Sequence, residues 1–489
     1  MKKVIILFLT SISLIGCNKF LDHQPDDRTD LDNVVKIKEL VGSAYPKVFY
    51  SAFTESLSDN AGDKGTAERV DQNFFPWKFE DQIKSDYDTP NAYWQAAYKA
   101  ISVANHALAA IENLGNPSDS RAVKGEALVA RAYAHFMLVN FFAKPYNQST
   151  SATDLGIPYE TKPESTAVGN YSRGTVQEVY NSIEKDLLEG LELIDNSIYK
   201  VPSYHFNKNA AYAFATRFYL FKKQYEKVIQ YADLVSKTAT ISSTLRPWNT
   251  EYVNFSYYVL QNDYGNSTRA ANLLLAEANS IYGSDYPTYN YGLNSSLLAE
   301  VFGAGSNPMN IQLSYRSKVF GGNETVYNIP KFKSNFIKES ISDNFGEPYV
   351  VYTLFAIEEV LFNRAEAYAN LGRTDEALAE LQAFLSKRIT NYNASNANHK
   401  ITLSKIKAFY PDLSDSEAIV ETVINFKRQE FLFEGMRWLD IIRLGKTVIH
   451  RSVASSKDKI DLVIGPDDPR RVLQLPQEAI EFGLPANPR

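Results

Sequence analysis

Residues 365–381 read AEAYANLGRTDEALAEL. Helical periodicity enters from Val360, runs to Leu371 and stops at Gly372, a residue suited to the left-handed turn that closes a helix. Beyond it, Ala377, Leu378, Leu381 and Leu385 fall at three- and four-residue steps and predict a partner helix. The small alanines sit where the two helices approach. One such hairpin cannot cover its own apolar face, so several must stack.

A second hairpin precedes it. Ala211 to Phe221 predicts one helix, Lys222-Lys223-Gln224 the turn, and Tyr225, Val228, Ile229, Ala232 and Val235 the inner face of the next. Both hairpins resemble tetratricopeptide repeats. Three longer helices lie upstream. Tyr93, Trp94, Ala97, Tyr98, Ile101, Ala104 and Leu108 form an amphipathic stripe that ends near Gly115 and Pro117. Gly125 to Phe142 (GEALVARAYAHFMLVNFF) is apolar on nearly all sides and so predicts a buried helix. The third runs from Thr175 to Ile194. Hairpins are thus expected within 93–235 and 355–445. Between them, residues 236–350 lose clear periodicity and hold eleven of the 31 tyrosines. The predicted fold is all-α: a tetratricopeptide-like helical hairpin scaffold with a large, irregular, loop-rich insertion, residues 36–489 forming one domain.

The N-terminus carries a different signal. Lys2 and Lys3 precede an apolar run from Val4 to Ile15, and Gly16-Cys17 follows with the only cysteine of the 489 residues. The run fits a signal-peptide core and is too short to span a bilayer. Residues 1–16 are expected to be a lipoprotein signal peptide, with Cys17 carrying diacylglycerol and fatty acyl chains such as palmitate. Residues 17–35 are expected to be the anchor and tether. Hydrophobic residues at 44% and charged residues at 22% are ordinary globular composition. A net charge of −6 provides no footprint for nucleic acid and no basic face for anionic lipid. With one cysteine, no disulfide can form within the chain.

Several motifs in order resemble the SusD/RagB family of outer-membrane nutrient-binding lipoproteins. They are the lipobox with CNKFLDHQPDD, then WQAAYKAISVANHALAAIENL, GEALVARAYAHFMLVNFF, the AEAYANLG hairpin, KRQEFLFEGMRWLDIIRLG at 427–445 and VLQLPQEAI at 472–480. In the 427–445 motif Glu430, Phe433, Glu434, Gly435, Arg437, Trp438, Asp440 and Arg443 match the family pattern. Phe426-Lys427-Arg428 stands where the family usually has Glu-Arg-Arg, which puts a local ion pair in question. From spacing alone, Glu434, Arg437, Asp440 and Arg443 alternate in sign at three-residue steps and predict a structural ladder along one helix face. The resemblance implies an outer-membrane protein, exposed at the cell surface, that binds a ligand for a SusC-like TonB-dependent transporter.

No chemistry-bearing motif stands out. The six histidines are scattered singly, with no metal-ligand spacing, phosphate loop or nucleophile elbow. Glu358-Glu359 is accounted for by a helix N-terminus. No enzyme, metal or cofactor is therefore expected, and binding readings lead. Sugar rings need aromatic platforms and neighbouring amides or charges. Asn73, Phe75 and Trp77, following Asp59-Asn60, offer such a mixture, as do Trp248, Tyr289 and Tyr291. The expected ligand is an oligosaccharide or polysaccharide. An oligopeptide ligand and a ligand-free protein–protein scaffold are the alternatives.

Overall fold

The computed structural model describes residues 30–65, 70–82, 84–164, 171–322, 326–338, 340, 345–451 and 460–489. The expected signal peptide, Cys17 and the expected tether as far as residue 29 lie outside the described residues. Twelve helices carry the frame: α1 (Val34–Val41), α2 (Ser51–Leu57), α3 (Asp71–Lys78), α4 (Pro90–Asn113), α5 (Arg121–Phe142), α6 (Val176–Leu193), α7 (Lys208–Phe221), α8 (Tyr225–Val235), α9 (Ile357–Asn370), α10 (Thr374–Leu385), α11 (Asp415–Glu430) and α12 (Met436–Leu444).

Local chemistry sets their ends. Thr89 caps α4 through the Ala92 amide, with Pro90 at the first helical position, and Gly115 (φ 77°) follows its end. Reciprocal capping boxes start α6 (Thr175 with Glu178) and α11 (Ser414 with Glu417). Helix α5 is buried along almost its whole length, between α4 and α6. The α5–α6 crossing is close enough that a Cβ on Gly190 would lie 2.6 Å from Val129 Cγ2 and 2.9 Å from the Gly125 carbonyl oxygen. The hairpins α7–α8 and α9–α10 form where the sequence places them. Gly372 (φ 71°) turns the second, and Ala365, Ala367, Ala369, Ala377 and Leu381 are buried at its seam. Helix α9 packs against α8, α10 and α11, so the hairpins stack in a row.

The segment 236–350 is more ordered than its composition suggests. It holds strands β2 (Asn272–Asn279) and β4 (Lys333–Ile337) and the start of β5 (Glu347–Ala356), paired antiparallel in the order β2-β5-β4, besides short helices such as Ser295–Phe302. Strand β5 alternates, turning Val350, Tyr352 and Leu354 inward, and runs directly into α9. Strand β2 is an unbroken apolar run, Leu273 to Ala276, buried on both faces. Two further small sheets pair β1 (Gly62–Asp63) with β3 (Tyr291–Gly292), and β6 (Val448–Arg451) with β7 (Ile460–Ile464).

Buried ion pairs fasten the scaffold helices to one another and to the insertion. Arg217 grips Glu359 with Nε–Oε1 at 2.6 Å and Nη2–Oε2 at 2.7 Å. Glu358 takes Arg246 at 2.8 Å and Arg388 at 3.0 Å. The helix dipole therefore does not account for this carboxylate pair. Both are buried, and each is neutralised by arginines from other elements.

Candidate ligand-binding surface

The 427–445 motif is the clamp beneath the candidate surface, and its charges do not form the expected ladder. Gly435 adopts φ 74°, which separates Glu434 from α12. Glu434 accepts from Tyr264 and from Lys331, each at 2.6 Å. Arg437 holds Asp59 with two bonds of 2.7 Å, and against the upward pull of burial the charges of Arg428 and Arg437 hold that carboxyl well below the usual range. Only Asp440 and Arg443 pair along the helix, at 2.7 Å, and Arg443 also grips Glu366. The partners lie on different elements because a left-handed residue and a two-turn helix cannot keep four charges on one face. Trp438 packs against Phe79 and lies near the Arg471 guanidinium. The departure at 426–428 keeps its pairing: Lys427 meets Asp440 at 3.0 Å and Arg428 meets Glu300 at 2.8 Å.

Through this clamp the motif positions α2 and the loop that leaves it. Glu55, at the end of α2, accepts from the Gly435 amide at 2.9 Å and from Asn60 at 3.0 Å, and burial raises its pKa to about 7. The chain then enters β1, pairs with β3 and turns into α3.

Two segments more than two hundred residues apart in sequence meet there. Asn73 donates to the Tyr291 carbonyl at 3.0 Å and accepts from the Tyr291 amide at 2.8 Å. Trp77 stacks on Tyr291 (centroids 4.0 Å apart, planes 11°) and, on its other face, on His450 (4.9 Å, 6°). Its indole N–H donates to the Ala61 carbonyl at 2.8 Å. The His450 ring lies between the carbonyls of Ser58 and Trp77, and burial lowers its pKa.

Of the six candidate ligand contacts, the structure brings Asn73, Phe75, Trp77, Tyr289 and Tyr291 to this region and leaves Trp248 elsewhere. Trp77 is 0% exposed and Tyr291 8%, with Asn73 and Tyr289 also buried. With both faces of its ring covered, Trp77 serves as the packed floor and not as a platform for a sugar. Tyr289 packs edge-on against Tyr282. Phe75 alone is half-exposed, beside the equally half-exposed Phe74, whose ring lies 5.6 Å from it and 6.2 Å from Tyr291. Around them are half-exposed Asp63, Asn290 and Asn294. The accessible part is therefore Phe74, Phe75 and these polar groups, carried on the Tyr291–Trp77–His450 column. Lys64, at the same edge, donates to the Pro287 carbonyl, and burial lowers its pKa to about 8.

Trp248 belongs to the buried charge network instead. It is 0% exposed, lies edge-on to Tyr315 at 4.8 Å and donates to Glu430 at 3.3 Å. Tyr315 and Arg388 complete the Glu430 site. Sequence reasoning missed a second exposed aromatic group in the insertion. Tyr258 stands 72% exposed beside Tyr257, which is itself 5.3 Å from Phe320. Its one signal is the Tyr-Tyr pair within the tyrosine-rich stretch. Among the described residues, no three His, Cys, Asp or Glu side chains are placed to hold a metal ion, and no helix is long and apolar enough to cross a membrane.

Comparison with known proteins agrees with this architecture. A family model described as starch-binding and associating with the outer membrane matches residues 19–220, and the SusD family model matches residues 286–463. Among solved structures, one of a putative sugar-binding protein from Bacteroides vulgatus superposes with a TM-score of 0.70 at 19% identity, covering 94% of this chain and 99% of that one. A SusD superfamily protein from Bacteroides thetaiotaomicron gives 0.67 at 20% identity over 94% of this chain and 100% of the other. A SusD-like carbohydrate-binding protein from Bacteroides vulgatus gives 0.65 at 16%, covering 92% and 96%. No curated protein matches the chain.

Proposed function

The chain belongs to the SusD/RagB-like family, and from that premise we propose that it captures an oligosaccharide at the outer-membrane surface and delivers it to a SusC-like TonB-dependent transporter. It acts by binding alone. The observation that carries the reading is the meeting of 59–77 with 289–291, which sets two half-exposed phenylalanines beside asparagine and aspartate groups. An aromatic face suits the C–H face of a sugar ring, and the amides suit its hydroxyls. The names of the sugar-binding relatives point the same way. The helical hairpins lie apart from this edge, which leaves them available to the transporter. A lipid on Cys17 would hold the protein near the barrel, so modest affinity suffices at the raised local concentration.

Calorimetric titration of protein lacking residues 1–17 with a glycan panel and a peptide mixture tests the reading. Saturable glycan binding that falls about tenfold or more in the double variant Phe74→Ala/Phe75→Ala supports it, each ring accounting for roughly a threefold to tenfold effect. Binding of peptides alone, or release of cleaved glycan, overturns it.

A further inference from the structure

A second concave site lies away from the β1–β3 edge, and nothing in the proposed function uses it. Three distant segments build it: α4, the residues Pro158, Glu160, Glu164 and Tyr171 between α5 and α6, and the C-terminal helix Gln477–Glu481 with the residues after it. They enclose a cavity of about 220 Å³. Trp94 and Tyr98, one turn apart on α4, form its inner wall with rings 4.8 Å apart. Tyr171 lines it, and Phe482, 65% exposed, stands at its mouth.

The charged groups lining the cavity are all of one sign. Glu160, Glu164 and Glu478 line it, no lysine or arginine does, and among the described residues no ion pair neutralises any of the three. Arg173 lies behind Tyr98, but it donates to the carbonyls of Gly156, Phe142 and Pro485 and to Asn487. Glu160 is half-buried, and burial together with the like charge of Glu164 raises its pKa. Aromatic rings present negative faces to a cation, and carboxylates at the rim add a counter-charge. A bound cation would also relieve the repulsion between Glu160 and Glu164.

We infer that this cavity binds a small organic ammonium group, held against Trp94, Tyr98, Tyr171 and Phe482 and balanced by the glutamates. An anion would meet three carboxylates, and a neutral sugar would bring no positive charge to offset them.

The full mature chain can be titrated with choline and with its neutral carbon analogue 3,3-dimethylbutan-1-ol, following heat and ligand-observed NMR. Choline is expected to bind saturably and at least about tenfold more tightly than the neutral analogue. Phe482→Ala removes an exposed ring, so the fold should hold, and affinity is expected to fall about threefold to tenfold. Glu160→Gln/Glu478→Gln should weaken choline and leave the alcohol unchanged. Equal affinity for the two probes, no choline binding, or choline binding indifferent to these variants overturns the inference. Because the Phe74 and Phe75 surface is untouched, glycan titration of the same variants separates this result from the fate of the proposed function.

Discussion

Arg388 Nε lies 2.7 Å from Glu430 Oε2, and neither side chain is exposed to solvent. The pair joins the residue just past α10 to the last residue of α11, and the other arm of Arg388 reaches Glu358 at the start of α9. Arg388 also donates to the Arg246 carbonyl, which brings in the insertion. Removing Glu430 takes the acceptor from Arg388 Nε, the Tyr315 hydroxyl and the Trp248 indole N–H, and leaves two buried arginines, Arg246 and Arg388, to share Glu358. Glu430→Ala is therefore expected to cost about 3–5 kcal/mol. Replacing both residues with Met and Leu should cost less than the single change, because no charge is then stranded. Denaturant unfolding of the two variants gives the comparison.

Gly435 is fixed by its surroundings as much as by its φ of 74°. A Cβ there would lie 2.3 Å from Thr54 Oγ1 and 2.9 Å from Ser51 Cα, so α2 would have to shift. Gly435→Ala should destabilise by about 2 kcal/mol or more, and Thr54→Ala in the same chain should recover only part, since the Ser51 backbone remains in the way. The same substitution weakens the Glu55–Gly435 link that sets the 59–77 loop. Glycan affinity should then fall along with the unfolding midpoint.

The hairpins were legible because their chemistry is local. At 365–381 the alanines, the Leu-Gly turn and the leucine spacing all lie within one short window, and α9 and α10 form there. The charges of the 427–445 motif are legible only as charges. Their partners Asp59, Lys331 and Glu366 lie 60 or more positions away, so spacing suggested a ladder where the fold makes three long-range clamps. The inner sheet was missed because Leu273 to Ala276 and the alternation in β5 sit among Asn- and Gly-rich turns, where no helical period was found. Burial of Trp77 and Trp248 was not readable at all. An indole suits a sugar platform and a core equally, and only the rings on both faces of Trp77 decide the matter.

That distinction gives the two tryptophans different consequences. Trp77→Ala empties the column between Tyr291 and His450 and is expected to cost about 3–5 kcal/mol. Because Phe74 and Phe75 share α3 with it, glycan affinity should fall as well. Trp248→Ala should cost a similar amount while folded protein keeps its affinity, since Trp248 sits on the Glu430 network. Calorimetry on each variant, restricted to temperatures at which circular dichroism reports native helicity, reads both effects. Equal loss of affinity in the two would remove the case for the β1–β3 edge.

Asp88 sets the dependence of stability on pH. It is fully buried at φ 63°, just before the Thr89 cap of α4. Its Oδ2 accepts from the amides of Ile281 at 2.9 Å and Tyr282 at 3.0 Å, while Oδ1 has no partner. Burial raises its pKa to about 7, and Glu55 is raised to about 7 for the same reason. An acid with a raised folded-state pKa holds its proton in the folded chain when the unfolded chain has already lost it. Its contribution is fully present below about pH 4 and is lost as pH rises toward 7, at up to about 1.4 kcal/mol per pH unit for each group. Asn at position 88 tolerates the positive φ, keeps an oxygen for the two amides and never ionises. Asp88→Asn should therefore flatten the stability profile between pH 5 and 7 and leave the variant more stable than the parent at pH 8. Denaturant midpoints across that range check the sign: a variant that loses stability in parallel with the parent would mean that Asp88 is already ionised at pH 5.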